Sequence, residues 1–323
     1  KGNLVAEFED GFTFFEDNVN FDYRCIGAKY DPIFQKTYFF VVASTGTTSP
    51  NYYSFIFEYD VASGIVYVVC GNEWSDILDF DFDELITGIS VVFINTTTPL
   101  LYWTQRSGLR KINVYKAKLL YSSAGADPLG YPSSSLQIIE RIKYQPYNPP
   151  TIYQCTDKTV FVNNIEKRFF QFSYRYVYDD YEKSAPSEWS DVNVPYFETS
   201  VTPFGSNNYL LYKGNQRNNL INVTFNTGGF LVKKIELIVR RKIPDGGVEA
   251  NLDWIIYDTL DKEALGYNDN EDVVYKFYND KVGELITQEQ ANRIFDNVPL
   301  AAAADTFAEG FRMYEGNVTE GFD

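Results

Sequence analysis

Carboxylates at Asp79, Asp81 and Asp83 recur at every second residue within the stretch 76–84. On an extended chain this spacing puts all three on one strand face, where hard oxygen ligands could hold Ca²⁺. A calcium loop also needs a glycine bend and carbonyl ligands, and the intervening Phe80 and Phe82 read as core. A solvated acidic edge is therefore the preferred reading. The run Asn268-Asp269-Asn270-Glu271-Asp272 poses the same choice. As a polar turn ahead of a strand it needs no metal.

The chain of 323 residues contains no histidine. That removes Ser-His-Asp and Cys-His nucleophile pairs, imidazole bases and every His-containing zinc site. Cys25, Cys70 and Cys155 lie too far apart in sequence for a CxxC clip or a disulfide framework, and read as small buried side chains of a reduced fold. With 44 Asp and Glu residues a carboxylate pair for glycoside hydrolysis always exists somewhere, but no motif selects one. The Ser-x-Asp-x-Gly box of sialidase-type propellers is absent, as are GxSxG, GxGxxG and Walker patterns. No catalytic residue, cofactor or metal is assigned on these grounds. Asn95, Asn222 and Asn317 each head an Asn-x-Thr triplet. These matter only in a secretory context, which free cysteines oppose, so they read as turn or strand residues.

Binding chemistry is bounded by charge. The 28 Lys and Arg against 44 Asp and Glu leave a formal charge of −16, which opposes a nucleic-acid clamp. Arg106, Arg110 and Lys111 form a compact basic cluster near a hairpin; it could touch phosphate or pair with local carboxylates. Tyr131, Tyr144, Tyr147 and Tyr153 could form a carbohydrate platform, but are read first as packing an interface between domains or subunits. No apolar run approaches the roughly 18–20 residues of a membrane span. The chain begins with Lys1 and holds a single Met, Met313, as expected of a piece of something longer.

These residues must be carried by sheets. Aromatic residues make up 17 % of the chain and mix with Val, Ile and Thr, a strand composition. Tyr53, Phe55, Phe57 and Tyr59 alternate with Ser54, Ile56 and Glu58; residues 60–64 turn the chain and Ile65, Tyr67 and Val69 resume the period of two. This predicts a hairpin closed by Gly64. A second hairpin carries Ile89, Val91 and Phe93, turns over 95–99 and returns through Leu100, Tyr102 and Thr104, followed by a strand at 111–114. An earlier unit spans 23–27, 37–42 and 52–59. One unit of three or four strands per 40 residues or so fits propeller blades, and about three fit before residue 145.

Breakers at 122–128 and 147–150 place a boundary near 148. Beyond it, Phe170, Phe172, Tyr174, Tyr176 and Tyr178 share one strand face. Further strands are expected at 221–225, 232–239, 254–259 and 273–278, a pattern of immunoglobulin or fibronectin-III type. Thr287 and Gln290 form a capping box that opens one short helix through Ala291, Ile294 and Phe295. A last strand lies at 311–317. The expected fold is all-β: propeller-like blades over 1–147, an inserted immunoglobulin/fibronectin-III-like β-sandwich over 148–285, and over 286–323 the short helix and a strand returning toward the propeller.

Several segments resemble one family. Leu100-Leu101-Tyr102-Trp103-Thr104 with Leu109-Arg110-Lys111-Ile112-Asn113-Val114 is similar to a blade element of the stabilisation, or muzzle, structural proteins of crAss-like and related short-tailed phages. Phe172-Ser173-Tyr174-Arg175-Tyr176-Val177-Tyr178-Asp179-Asp180 with Glu182-Lys183-Ser184-Ala185-Pro186-Ser187 resembles that family's fibronectin-like segment. Val232-Lys233-Lys234-Ile235-Glu236-Leu237, Phe295-Asp296-Asn297-Val298-Pro299-Leu300 and residues 313–321 resemble further elements, in the same order. Local departures are Gln105-Arg106-Ser107, Tyr181 and Phe311. The resemblance implies a non-enzymatic virion protein of the phage tail, part of a longer parent chain. It implies identical copies in a ring around the DNA exit path, neighbouring tail proteins as partners, and packaged DNA passing nearby without specific binding. A net negative surface suits that conduit, since it repels the duplex and leaves it free to slide.

Overall fold

Alternation of aromatic and β-branched residues with polar ones dominates the chain, and strands dominate the fold. The computed structural model describes residues 7–9, 12–45, 51–71, 75–95, 98–105, 108–122, 138–141, 143–166, 168–193, 218–242, 253–293, 301–308 and 312–319. The chain divides into two compact units, 1–142 with 297–323, and 143–296, so the second is inserted in the first.

In the first unit, β1 (Glu7–Phe8), β2 (Asp22–Asp31), β3 (Lys36–Ser44), β4 (Tyr52–Asp60) and β5 (Ile65–Gly71) form a sheet in the order β1-β5-β4-β3-β2. β2 to β5 are an antiparallel meander, and β1 adds parallel to β5. The turn at 60–64 forms because the Asp60 carboxylate accepts from the backbone N–H of Ala62 and Ser63 at 2.8 and 3.2 Å, while Gly64 takes φ +75° and donates to the Asp60 carbonyl. β6 (Ile89–Asn95), β7 (Thr98–Gln105) and β8 (Gly108–Asn113) make a second meander.

One face of the five-stranded sheet and the three-stranded sheet share a core in which Trp103, Phe40, Tyr38, Ile56 and Leu101 are fully buried. The strand expected at 111–114 ends at Asn113, whose side chain accepts from the Lys116 N–H and opens a helix, Val114–Ser122. Ala117 of that helix seals the same core. The expectation of one short helix is therefore corrected.

In the second unit, β9 (Thr151–Cys155), β10 (Phe169–Tyr178), β11 (Leu220–Asn226), β12 (Val232–Lys242), β13 (Asp253–Asp261), β14 (Asp272–Phe277) and β15 (Glu284–Ile286) form two antiparallel sheets, β10-β12-β13-β15 and β14-β11-β9. The aromatic row of β10 faces the second sheet. Phe170 and Phe172 meet Phe277 edge-on at 5.0 and 4.9 Å, and Tyr174 meets Phe225 at 5.2 Å. Such pairs contribute about 0.5–1.5 kcal/mol each beyond their area burial. The tyrosines at the end of the row keep their hydroxyls bonded: Tyr176 donates to the Asn226 carbonyl and Tyr178 to that of Tyr144. Thr287 and Gln290 close the capping box of the helix Gln288–Ala291; Ile294 and Phe295 lie outside the described residues. The chain then supplies β16 (Ala301–Ala308) and β17 (Arg312–Thr319), an antiparallel hairpin of the first unit tied by an Arg141–Glu315 ion pair. The fold is thus mostly β-sheet, and among the described residues no sheet closes on itself.

The outer edge of β10 is closed by a device of period three. The N–H groups of Ser184, Ser187, Ser190 and Asn193 donate to the carbonyls of Tyr176, Tyr174, Phe172 and Phe170. The four side-chain oxygens accept the N–H groups of those same strand residues. Each serine hydroxyl also donates to the carbonyl of the residue after it. Three residues of this strap span two residues of strand, so it is no strand itself, yet it pairs the donors and acceptors that an open edge would present.

Candidate functional site

The acidic stretch does not form a strand. A short helix, Ser75–Leu78, ends in a turn in which Asp79 takes φ +46°. Phe80 is buried, which swings Asp79, Asp81 and Asp83 outward as separate exposed groups. Asp81 accepts from the Asp83 N–H and Asp83 pairs with Arg24, so the expected common face of three carboxylates is corrected. Among the described residues no set of three acidic, Cys or His side chains is grouped to hold a metal.

At 268–272 a cation is present, and it belongs to the chain. The buried Lys262 ammonium donates to the carbonyls of Gly228 and Gly229, both at 3.1 Å, and to Asp269 at 2.7 Å, using its three protons. Gly228 holds φ +69°, and a Cβ there would meet the Tyr176 ring at 2.8 Å. Only glycine brings this carbonyl to the lysine. Thr227 locks the two turns together: its N–H donates to the Glu271 carbonyl, and its hydroxyl donates to the Asn268 carbonyl and accepts from the Glu271 N–H.

The basic cluster points inward. Arg110 and Lys111 are buried, and their strand pairs through the backbone with the segment at 139–140, the Lys111 N–H donating to the Ile139 carbonyl. Neither presents a free charge to a phosphate, and Arg106 lies outside the described residues. A second buried ionic group centres on Glu58 of β4. Its carboxylate accepts from Lys36 at 2.6 Å and from Lys118 at 2.9 Å, which ties the helix Val114–Ser122 to the sheet. Tyr38 lies cross-strand from Glu58, and burial together with that carboxylate pushes its hydroxyl upward, so it stays protonated.

Of the four tyrosines, Tyr131 lies outside the described residues. Tyr144 is exposed and accepts at its carbonyl from Tyr178, Tyr147 is 95 % exposed in an irregular segment, and Tyr153 is 71 % exposed on β9. No single platform is formed by a shared element. Cys70 is buried as expected, with its thiol pushed upward by burial, whereas Cys25 is exposed and Cys155 half-buried. Of the Asn-x-Thr residues, Asn222 sits mid-strand in β11 and Asn317 is exposed at φ +51° in β17; the Asn95 side chain lies outside the described residues.

Two sheet faces are partly open, the first uncharged and the second mixed in polarity. The first is the face of the five-stranded sheet away from the shared core. Its cross-strand rows are Tyr23–Ala43–Tyr53, Cys25–Val41–Phe55, Ala28–Phe39–Phe57–Val68 and Tyr30–Thr37–Tyr59–Val66, without a charged residue. The segment holding Phe12, Phe14 and Phe15 packs on Phe55 and Phe57 with ring centroids 4.7–6.2 Å apart and covers the β4–β5 side. Phe15 also packs on Tyr23 at the start of β2, and the rest of β2 stays open: Cys25 and Ala28 are exposed, Tyr30 is 52 % exposed and Ile33, in the adjoining turn, 74 %. The covering segment places Glu16, Asp17 and Asp22, all exposed, on this unit's surface.

The second is the outer face of β14-β11-β9. Its rows are Asn226–Asp272, Thr151–Thr224–Val274, Tyr153–Asn222–Lys276 and Cys155–Leu220. Tyr153 and Val274 stand exposed, and Asp272 and Lys276, also exposed, place one charge of each sign on this face. Beside it, Asp157 is spent on its own loop, accepting from the Thr159 hydroxyl and N–H and from Tyr278. Those bonds hold its carboxyl down at about 2, and Tyr278 is pushed up to about 12 by the same carboxylate. Comparison of the chain with models of known protein families and with curated proteins finds no match in either.

Proposed function

We propose that this protein is a non-enzymatic structural component of a phage virion, a muzzle or stabilisation element of the tail. Identical copies would assemble in a ring around the DNA exit path, beside neighbouring tail proteins, and would retain or guide the genome. On this reading the two meanders of the first unit are propeller-like blades, and the inserted unit is a sandwich of immunoglobulin or fibronectin-III type. The observation that carries the reading is the uncharged β2 side of the five-stranded sheet, where Ala28, Tyr30 and Ile33 stay exposed, on a chain of net charge −16. Large apolar faces on a monomer mark association sites, and the surrounding negative charge disfavours DNA as the partner. The inward turn of Arg110 and Lys111 supports the same conclusion. The ordered set of family-like segments supplies the tail context. No helix among the described residues is long and apolar enough to cross a membrane.

Electron microscopy and native mass spectrometry of the purified protein and of particles containing it test the proposal. Rings of one chain at the particle's tail support it. A free monomer absent from any particle overturns it. Exposed Tyr147 and Tyr153 favour a second reading, a glycan- or receptor-binding tail module. Specific glycan-array binding lost on Tyr147→Ala or Tyr153→Ala would establish that reading instead.

A further inference from the structure

The mixed polarity of the β14-β11-β9 outer face decides what lies on it. Tyr153, Asn222 and Lys276 stand side by side across three strands, so at about 4.8 Å between neighbouring strands the row is about 9.5 Å long. Tyr153 presents an exposed ring and Lys276 an exposed ammonium. Asn222 stands between them, and its Oδ1 is shielded from water yet accepts no hydrogen bond from the described residues. An acceptor in that state is costly, which favours any arrangement that brings it a donor. The next row adds the hydroxyls of Thr151, exposed, and Thr224, half-buried. Asp272 is tied to Asn226 at 2.9 Å, and Asp157 lies within electrostatic reach of Lys276, so the charges of this surface are answered locally.

Other occupants lack a match to these groups. The core of a protein interface is depleted of charge, whereas this face holds a charge of each sign. A nucleic acid needs a net positive surface, and a bilayer a broad apolar one. A sugar ring offers an apolar C–H face to stack on Tyr153 and a rim of hydroxyls. Those hydroxyls accept from Lys276 and donate to the Asn222 oxygen once the long neighbouring side chains give way. Balanced charge on the face calls for a ligand without charge. We infer that the row Tyr153–Asn222–Lys276 binds a neutral oligosaccharide, with one ring on Tyr153 and the next toward Lys276. The inference rests on the glycan-binding reading above, to which it gives a face and a ligand class, and it requires no ring of copies.

An array of gluco-, galacto- and manno-oligosaccharides together with oligogalacturonates, probed with the full chain, is the first measurement. Neutral glycans should be retained, and calorimetric titration with the best of them gives the dissociation constant. Tyr153→Ala should raise that constant more than about tenfold by removing the stacking surface, whereas Tyr153→Phe, which keeps the ring, should stay within about threefold. Lys276→Met should weaken binding, and Tyr147→Ala, at an exposed tyrosine outside the row, should leave it unchanged. Circular dichroism checks that each variant folds. Hydroxyl-radical footprinting needs no variant: the bound glycan should shield Tyr153 and leave the exposed Tyr147 and Tyr181 reacting as before. Binding that survives Tyr153→Ala but is lost in Tyr147→Ala would keep the glycan reading and overturn this site. Preference for oligogalacturonates would overturn the neutral class. An array that retains nothing would remove the site and the glycan reading together.

Discussion

Replacing Ser187 by alanine isolates what the strap does for the sheet. The Ser187 hydroxyl oxygen accepts the Tyr174 N–H at 3.2 Å and donates to the Glu188 carbonyl at 2.8 Å, at a site that is almost wholly buried. Alanine keeps the backbone bond from the residue-187 N–H to the Tyr174 carbonyl but strands the Tyr174 N–H away from water. One unsatisfied buried donor costs about 1–3 kcal/mol. Making the same change at 184 and 190 also strands the N–H groups of Tyr176 and Phe172. If the three act independently, the triple variant loses about 3–9 kcal/mol, a large share of the roughly 5–15 kcal/mol that holds a domain together. Glu188→Ala is the control: the residue is exposed and its side chain bonds no strand group, so its effect should stay within about 0.5 kcal/mol. Urea unfolding gives the midpoints, and amide hydrogen exchange followed by mass spectrometry reads the β10 peptides directly. The reasoning fails if Ser187→Ala is as mild as Glu188→Ala, or if β10 exchange does not quicken.

Three other outcomes are expected. Lys262→Met should cost about 1.5–3 kcal/mol, the worth of hydrogen bonds to a charged group, and EDTA should leave the wild-type melting temperature unchanged. Glu58→Ala should cost about 3–5 kcal/mol, because two ammonium groups lose their buried counter-ion, while Lys36→Met, removing a partly solvated partner, should cost less in the same thermal melts. The depressed Asp157 and raised Tyr278 make their mutual contribution a plateau: complete above about pH 4 and lost as pH falls toward 2, complete below about pH 10 and lost as pH rises toward 12. The difference in urea midpoint between wild type and Tyr278→Phe should therefore be flat from pH 4 to 10 and shrink beyond either end; a constant difference across the whole range would contradict it.

Strands of strict period two were readable from sequence because their two faces carry different residue types. Tyr53–Tyr59 and the aromatic row of β10 are the clearest cases. Ends were less legible: Val114 and Tyr115 look like a continuing strand, and only Asn113 as an N-cap signals the helix. The alanines at 301–304 have helical propensity, yet pairing with β17 makes them strand. The acidic stretch misled because Phe80 and Phe82 mimic alternation, whereas burial of Phe80 after a helix decides the geometry. The strap's signal, Ser184, Ser187, Ser190 and Asn193 at a spacing of three, was visible in the sequence. It belongs to neither regular period, and its partner strand is named only by the fold. The open faces were the least legible, since exposure of Tyr30 but burial of Phe55 depends on where the segment carrying Phe12 to Phe15 comes to rest.

The ion in the double turn at 226–229 and 262–272 is tethered by a covalent side chain, and that changes what can disturb it. A dissociable metal would leave whenever its free concentration fell, and the turns would then answer to the medium. An ammonium carried by residue 262 arrives with the polypeptide at fixed stoichiometry and cannot be diluted or chelated. This corner of the inserted unit therefore keeps one shape in calcium-poor and calcium-rich surroundings alike.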